Sequence, residues 1–228
     1  LYTEVFHEKS PKFSGYNDYR GGGHFSGRLT LALVAAGVIA KKIIDPMNIS
    51  AKVIQIGGHD DLKIGLEKAM EKGDSAGALL ECRATMLPVG LGEPFFDSLE
   101  SLIAHLVFAI PATKGIEFGA GFNSANMSGS EMNDEILDKK GSTRTNNSGG
   151  INGGISNGNE LYFRVAIKPT SSISLKQQTY SFTEKEVVAL EIKGRHDACI
   201  GLRVPPVLEA VTAIALADLF LLRRSQLK

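Results

Sequence analysis

The sequence predicts an α+β fold with mostly antiparallel sheets. A few long stretches show the apolar spacing of helices, whereas the strand-like stretches are short. The strands are joined mostly by turn residues rather than by helical crossovers, which favours antiparallel pairing. With 228 residues the chain can bury a sizeable core, as one large domain or two small ones.

The helices are predicted from periodicity and end signals. Arg28–Ile44 is apolar almost all round, which predicts a helix buried on most faces, with Ser26 as its N-cap. Asp61–Lys72 is short and amphipathic. Asp97–Ile110 has the clearest amphipathic pattern, and Pro206–Arg223 is the last helix.

The strands are predicted from short alternating or apolar runs. They are Ile49–Ile56, Ala78–Met86, Leu161–Ile167 and Glu186–Lys193. Between the second and third lies a polar stretch, 123–159, rich in Gly, Asn and Ser, which ordinarily indicates a mobile loop.

The composition disfavours several classes of protein. Lys plus Arg and Asp plus Glu cancel at 25 each, so no overall field attracts nucleic acid or a membrane surface. Cys82 and Cys199 are far apart and form no CxxC or zinc-ligand pattern, which favours a reduced cytoplasmic location. The apolar stretch Val204–Leu222 contains two prolines and two carboxylates, so it predicts a buried core helix rather than a membrane span.

The stretch RGGGHFSGR at 20–28 combines permissive backbone with a histidine, a serine and an arginine. Glycines let backbone N–H groups approach a ligand, and a helix N-terminus attracts anions. Arg28 would add a planar, permanently charged group suited to phosphate or carboxylate. A structural turn before a buried helix explains the same residues equally well.

Four other segments contain candidate motifs, and three of them are open to two interpretations. PVGLGEPFFD at 88–97 reads mainly as a packing and capping turn before a helix. NNSGGINGGISNG at 146–158 is either a flexible linker or an ordered loop around a ligand. Lys168–Ser172 is a strand-ending turn or a site for a phosphate tail, and Gly194–Cys199 is a surface turn or an acid–base cluster.

Taken in order, the motifs resemble those of the chorismate synthase family over nearly the whole chain, from Gly15 to Leu222. The matching segments are YRGGGHFSGR, GDSAGALLE, PVGLGEPFFDSLE, IPATKGIEFGAGF, NNSGGINGGISNG, IKPTSSIS and IKGRHDACIGLR. The resemblance implies a β-α-β sandwich, with core helices between antiparallel sheets. It also implies one domain over residues 1–228, incomplete at the N-terminus.

The resemblance implies a lyase of the shikimate pathway to aromatic amino acids. Its reaction is the trans-1,4-elimination of phosphate from 5-enolpyruvylshikimate 3-phosphate, giving chorismate. The cofactor implied is reduced FMN (FMNH2), with no net redox change. A cytoplasmic homotetramer is implied as well. Because the sequence has no nicotinamide fingerprint, we expect an external flavin reductase rather than NADPH-dependent reduction by this chain.

The resemblance also assigns roles to individual residues. Catalytic roles are implied for Arg28, which faces the substrate, for Arg195, near flavin and substrate, and for Asp197, near the flavin N5. Flavin contacts are implied for His24, Phe25, Ser26, Pro111, Ala112, Gly153, Lys168, Pro169, Thr170, Ser171, Ser172 and Arg195.

The chain departs from the family pattern near its start. Two histidine motifs of the family, Gly-Glu-Ser-His-Gly and Arg-Pro-x-His-Ala-Asp, are not found, and the region around Lys9–Lys12 resembles a deletion. We therefore keep an alternative function, a catalytically silent FMN-binding fragment or assembly module. The enzyme is the favoured interpretation.

Overall fold

The computed structural model describes residues 26–181, 184–192, 194 and 196–226. Its strands are β1 (Asn48–Ile56), β2 (Ala78–Thr85), β3 (Thr113–Phe118), β4 (Ile151–Asn152), β5 (Ile155–Ser156), β6 (Leu161–Ile167), β7 (Gln177–Ser181) and β8 (Glu186–Leu190). Its helices are α1 (Thr30–Ile43), α2 (Leu62–Glu71), α3 (Leu99–Val107), α4 (Gly129–Met132) and α5 (Pro205–Gln226). The predicted α+β class is confirmed.

In the described ranges the main sheet has four strands in the order β1-β2-β6-β3, and each neighbouring pair is antiparallel. The pairs β4–β5 and β7–β8 form two further antiparallel hairpins. The antiparallel arrangement predicted from the sequence is therefore correct. Of the expected β-α-β sandwich, the described residues show this sheet and the helices packed on it.

One row of the main sheet carries alternating charges across all four strands. The register places Lys52 opposite Glu81, Glu81 opposite Arg164, and Arg164 opposite Glu117. Lys52 Nζ lies 3.1 Å from Glu81, and Arg164 lies 2.9 Å from Glu117. Side chains alternate between the two faces of a strand, and those on the face opposite these charges are apolar. Its fully buried residues include Leu80, Cys82, Phe163 and Val165.

Helix α5 is the central helix of the fold and contacts α1, α3 and β1. By length and composition alone α5 could cross a membrane, but 56% of its apolar window is buried inside the protein. That burial is typical of a core helix, as the sequence predicts. The Cys82 Sγ atom lies 3.7 Å from the Thr212 hydroxyl, which places α5 on the apolar face of the sheet.

Helix α1 differs from the prediction that most of its faces are buried. Leu31, Val38 and Ile39 are 75%, 56% and 63% exposed. Only the side facing α5 is buried, and there Gly37 packs directly on Ala210. Within the described part of the chain no element covers the opposite side of α1. Because the sequence of α1 is apolar on all sides, it did not reveal which face is packed.

Glu209 of α5 joins three elements through one carboxylate. One oxygen pairs with Lys41 Nζ of α1 at 2.6 Å. The other accepts a hydrogen bond from the Ala51 backbone N–H of β1 at 3.0 Å. Among the described strands β1 forms an outer edge of the main sheet, so this carboxylate ties the sheet edge to the helices.

The polar stretch after β3 is ordered by hydrogen bonds to one carboxylate, that of Asp134. Asp134 accepts hydrogen bonds from the backbone N–H groups of Asn147 at 2.7 Å and Ser148 at 2.9 Å, and from the Thr145 hydroxyl. Burial alone would raise the pKa of Asp134, but these hydrogen bonds outweigh burial and lower it. Residues 146–158 are therefore ordered, as the second interpretation requires and a flexible linker would not be; a ligand at this loop stays a prediction.

Candidate functional site

A cavity of about 590 Å³ opens beside the helix layer and collects segments that are distant in sequence. The lining residues are Ser26, Gly27, Arg28, Thr30, Ile110, Pro111, Ala112, Lys168, Pro169, Thr170, Ser171, Asp197, Ile200, Arg203, Val204 and Val207. Its volume falls in the usual range of small-molecule and cofactor sites.

The first wall is the turn that leads into α1. Residues Gly27–Leu29 form a 3₁₀ turn, and the Ser26 hydroxyl accepts the N–H of Arg28 at 3.3 Å. Ser26 therefore caps this turn and not α1 itself, whose N-cap is Leu29. The Thr30 hydroxyl donates to the Gly27 carbonyl at 2.6 Å. These bonds fix the backbone of Arg28 at the cavity.

The second wall is made where the edge of the main sheet meets the end of α3. Ala112 adopts a left-handed φ of +72° in the turn before β3. Its carbonyl accepts a hydrogen bond from the Lys168 N–H at 2.9 Å, just beyond the end of β6. This contact brings Lys168 beside Pro111, although 57 residues separate them in the chain.

The third wall is formed by the segment around Asp197 and the start of α5. The Arg203 guanidinium donates to the Asp197 carboxylate at 2.8 Å, and this contact raises the pKa of Arg203. The Asp197 carbonyl accepts a hydrogen bond from the Thr170 hydroxyl at 3.0 Å. The segment Lys168–Ser172 is thereby joined to the segment that contains Asp197.

The cavity combines an apolar side with a cationic side. The apolar lining is supplied by Ile110, Pro111, Ala112, Ile200, Val204 and Val207. The charged side chains of the lining are Arg28, Lys168, Arg203 and Asp197, so cations outnumber the single carboxylate. Such a lining suits a ligand with a flat apolar ring and anionic groups.

Most of the predicted site residues that the structure describes meet in this cavity. They are Ser26, Arg28, Pro111, Ala112, Lys168, Pro169, Thr170, Ser171 and Asp197. Their roles stay predictions, because the structure shows their placement only. His24, Phe25 and Arg195 lie outside the described residues.

Two predicted flavin contacts lie elsewhere. Ser172 lines a neighbouring cavity of about 210 Å³, which shares Asp197 with the first. Gly153 is not part of either lining. It occupies the tight turn between β4 and β5, next to Gly154, whose carbonyl accepts the N–H of Leu99 at the start of α3. The β4–β5 turn is thus used for packing against α3.

Several lining residues were not assigned a site role from the sequence. Arg203 and the apolar wall at the start of α5 are not among the residues predicted for the site. Ile200, Val204 and Val207 follow the i, i+4, i+7 spacing of one helical face, which is the signal that could have found them.

Comparisons with known proteins agree with the motifs. A family model described as chorismate synthase matches residues 7–221. A chorismate synthase of Chitinophaga pinensis is 60% identical over 93% of this chain and 64% of its own length. One from Dehalococcoides mccartyi is 45% identical over 92% of this chain and 66% of its own length.

A solved structure agrees at the level of the fold. A crystal structure of chorismate synthase superposes with a TM-score of 0.71 and 27% identity, over 87% of this chain and 64% of that structure. The chain therefore spans slightly less than two thirds of the length of these proteins. On the match over residues 7–221, the chain belongs to the chorismate synthase family.

Proposed function

We propose that this chain carries out the phosphate elimination of its family, converting 5-enolpyruvylshikimate 3-phosphate to chorismate as a lyase that needs reduced FMN. The observation that supports this most is the convergence of four separate motifs on one cavity. Ser26 and Arg28, Pro111 and Ala112, the segment Lys168–Ser171, and Asp197 all line it.

The cavity residues fit a flavin. The apolar side around Pro111, Ala112 and Val204 offers a surface for a flat ring system. The backbone N–H groups of Thr170 and Ser171 and the Ser171 hydroxyl, with the Lys168 ammonium, suit an anionic phosphate tail. When bound, reduced FMN supplies an electron-rich ring that can lend electron density as phosphate departs, which no side chain can do.

The protein's own groups would bind and orient the substrate. 5-Enolpyruvylshikimate 3-phosphate bears two carboxylates and a phosphate, and Arg28 can neutralise part of this charge. Fixed cations at the leaving phosphate stabilise the charge that develops there. The Asp197 carboxylate can hold the proton that leaves the substrate ring. The apolar wall limits access of water to the reacting groups.

The remaining properties are proposed from family membership alone. We propose that the protein acts as a single domain in a homotetramer, in the cytoplasm, and receives reduced flavin from an external reductase. The catalytically silent alternative is less favoured, because the relatives reported above are named as chorismate synthases.

The test is an anaerobic assay with the purified protein, 5-enolpyruvylshikimate 3-phosphate and chemically reduced FMN. We expect chorismate and phosphate in equal amounts, only when the flavin is reduced. Arg28→Ala should reduce turnover strongly. Arg144→Ala is the matched control, because Arg144 pairs with Glu135 at 2.7 Å outside the cavity lining. FMN binding without release of either product would instead support the silent alternative.

A further inference from the structure

Asp197 is held from two directions. At its side chain, Arg203 Nη2 donates to Asp197 Oδ1 at 2.8 Å. At its backbone, the Thr170 hydroxyl donates to the Asp197 carbonyl at 3.0 Å. The carboxylate and the peptide that carries it are therefore fixed by separate elements, the turn Ile200–Arg203 and the segment after β6.

The backbone support depends on a residue outside the main cavity. The Ser75 hydroxyl donates to the Thr170 carbonyl at 2.6 Å, and the next residue, Ala76, donates its N–H to the Ala198 carbonyl at 2.8 Å. Ser75 does not line the main cavity; it lines the smaller neighbouring one. Ser75 and Ala76, which lie three and two residues before β2, thus hold both the segment with Thr170 and the segment with Asp197.

Ser75 and Ala76 hold these segments firmly because they precede a strand that is paired on both sides. They lie three and two residues before β2, an inner strand paired with β1 on one side and β6 on the other. A series of hydrogen bonds runs from the sheet to the cavity wall through Ser75, Thr170 and Asp197. The side chains that donate these bonds have no more than two rotatable bonds. Short side chains lose little freedom when they form such bonds, so they hold a group in place well.

The ion pair with Arg203 is poorly explained as a stabiliser of the fold. The side chains of Arg203 and Asp197 are 71% and 46% exposed, and exposed pairs contribute little to the free energy of unfolding. Orientation of the carboxylate is the effect that such a pair can have, because the guanidinium restricts which way the oxygens point.

We propose that Ser75 and Arg203 are positioning residues that orient the Asp197 carboxylate in the cavity. Arg203 acts at the carboxylate, and Ser75 acts through Thr170 at the backbone. The inference rests on the proposed function, since it concerns the use of Asp197 in that reaction.

The first experiment compares Ser75→Ala, Arg203→Ala and Arg203→Lys with wild type in the anaerobic assay. Misplacement of a reacting group by about 1 Å can cost about 100-fold in rate, so we expect kcat to fall by about 10- to 100-fold in both alanine variants. KM should change much less than kcat. Arg203→Lys should recover part of the rate, because it keeps the charge without the planar group.

The controls are chemically matched. Ser225→Ala removes a serine hydroxyl that bonds only within the last turn of α5, and Arg144→Ala breaks an ion pair whose members are both 64% exposed. Both should retain wild-type kcat. Equal losses in the controls, or a kcat unaffected in Ser75→Ala and Arg203→Ala, would overturn the proposal.

A double-mutant cycle separates positioning from general damage to the fold. In an Asp197→Asn background, adding Ser75→Ala or Arg203→Ala should cause little further loss, because both act through the same carboxylate. Losses that multiply fully would show that these residues act independently of Asp197, which is the opposite of the proposal.

FMN affinity gives a readout that does not need turnover. Losing one support should change the FMN dissociation constant by about threefold or more, as expected for a lost hydrogen bond, while both controls leave it unchanged. If the wild-type protein releases no chorismate, the proposed function is contradicted, but the positioning proposal is not. The positioning proposal would then fail separately if FMN affinity is also unchanged in Ser75→Ala and Arg203→Ala.

Discussion

Gly201 is the residue whose substitution tests the packing of the cavity most directly. It lies in the turn Ile200–Arg203, and a Cβ added there would lie closer than 3.0 Å to the Cβ of Ala78 at the start of β2. Apolar carbons pack at about 3.5–4.0 Å, so Gly201→Ala must push the turn from the sheet by at least about 0.5 Å. Ile200 and Arg203, which line the cavity, would move with it.

The expected magnitude follows from this overlap. Overpacking of a core by one methyl group costs about 1–3 kcal/mol of unfolding free energy. For a chain of this size, each kcal/mol lowers Tm by about 2–4 °C. Because the turn carries Arg203, we also expect weaker FMN binding and a kcat lowered by about tenfold.

The overlap has a specific remedy, which makes the reasoning refutable. With Ala78→Gly in addition, the nearest remaining atoms are the Cys199 Sγ at 3.4 Å and the Ala78 Cα at 3.7 Å, which are ordinary contacts. Ala78→Gly alone should cost about 0.5–1 kcal/mol, because glycine weakens a strand. The double variant should be more stable than the two single effects predict, by about 1 kcal/mol or more.

Urea and thermal unfolding of the four proteins measure this coupling directly. Gly129→Ala is the control, since a Cβ there meets no atom within 4 Å. If the effects of Gly201→Ala and Ala78→Gly simply add, or if Gly201→Ala unfolds like wild type, the turn does not pack on β2 as described.

Three further predictions concern stability and reactivity. Gly37→Ala should destabilise the protein by about 1–2 kcal/mol, because the new Cβ would lie 2.6 Å from the Ala210 Cα and the gain in helix propensity offsets only part of that cost; chemical denaturation measures it, and a stabilised variant contradicts it. Asp134→Asn should cost roughly 1.5–3 kcal/mol near neutral pH through its lost hydrogen bonds. Since the folded-state pKa of Asp134 is lowered, that difference should be present above about pH 4 and disappear as the pH falls through the folded pKa; a difference that does not shrink on acidification would refute it. Burial raises the pKa of Cys82 to about 12 and also raises the pKa of Cys199, so neither thiol should react with a disulfide reagent at about pH 8 until the protein unfolds, and one rapidly labelled thiol would disprove this.

The sequence predicted the elements that carry their own periodicity. Helix α3 and strand β6 were found because their apolar residues repeat at helical and alternating spacing, and those patterns reflect burial directly. Strand β3 was missed. Its sequence TKGIEF has two charges and a bulge between Thr113 and Gly115, and its strand conformation comes from pairing with β6.

The site was predictable residue by residue only through family resemblance. Each motif alone was consistent with an ordinary turn, because periodicity says nothing about which distant turns meet. Arg203 and Ser75 escaped notice for the same reason: Arg203 reaches Asp197 through the geometry of a 3₁₀ turn, and Ser75 acts from outside the cavity. Contacts of this kind are properties of the tertiary structure.

The carboxylate of Glu209 has a consequence for how this protein meets other chains. An outer strand usually offers free N–H groups to which a foreign strand can add, and that is a common route to aggregation. Here Glu209 occupies the outward N–H of Ala51, and a bulge between Val53 and Gln55 interrupts the same edge. Strand addition at Ala51 would have to break an ion-paired hydrogen bond first, so within the described part of the chain a helix protects this edge of the sheet against intermolecular extension.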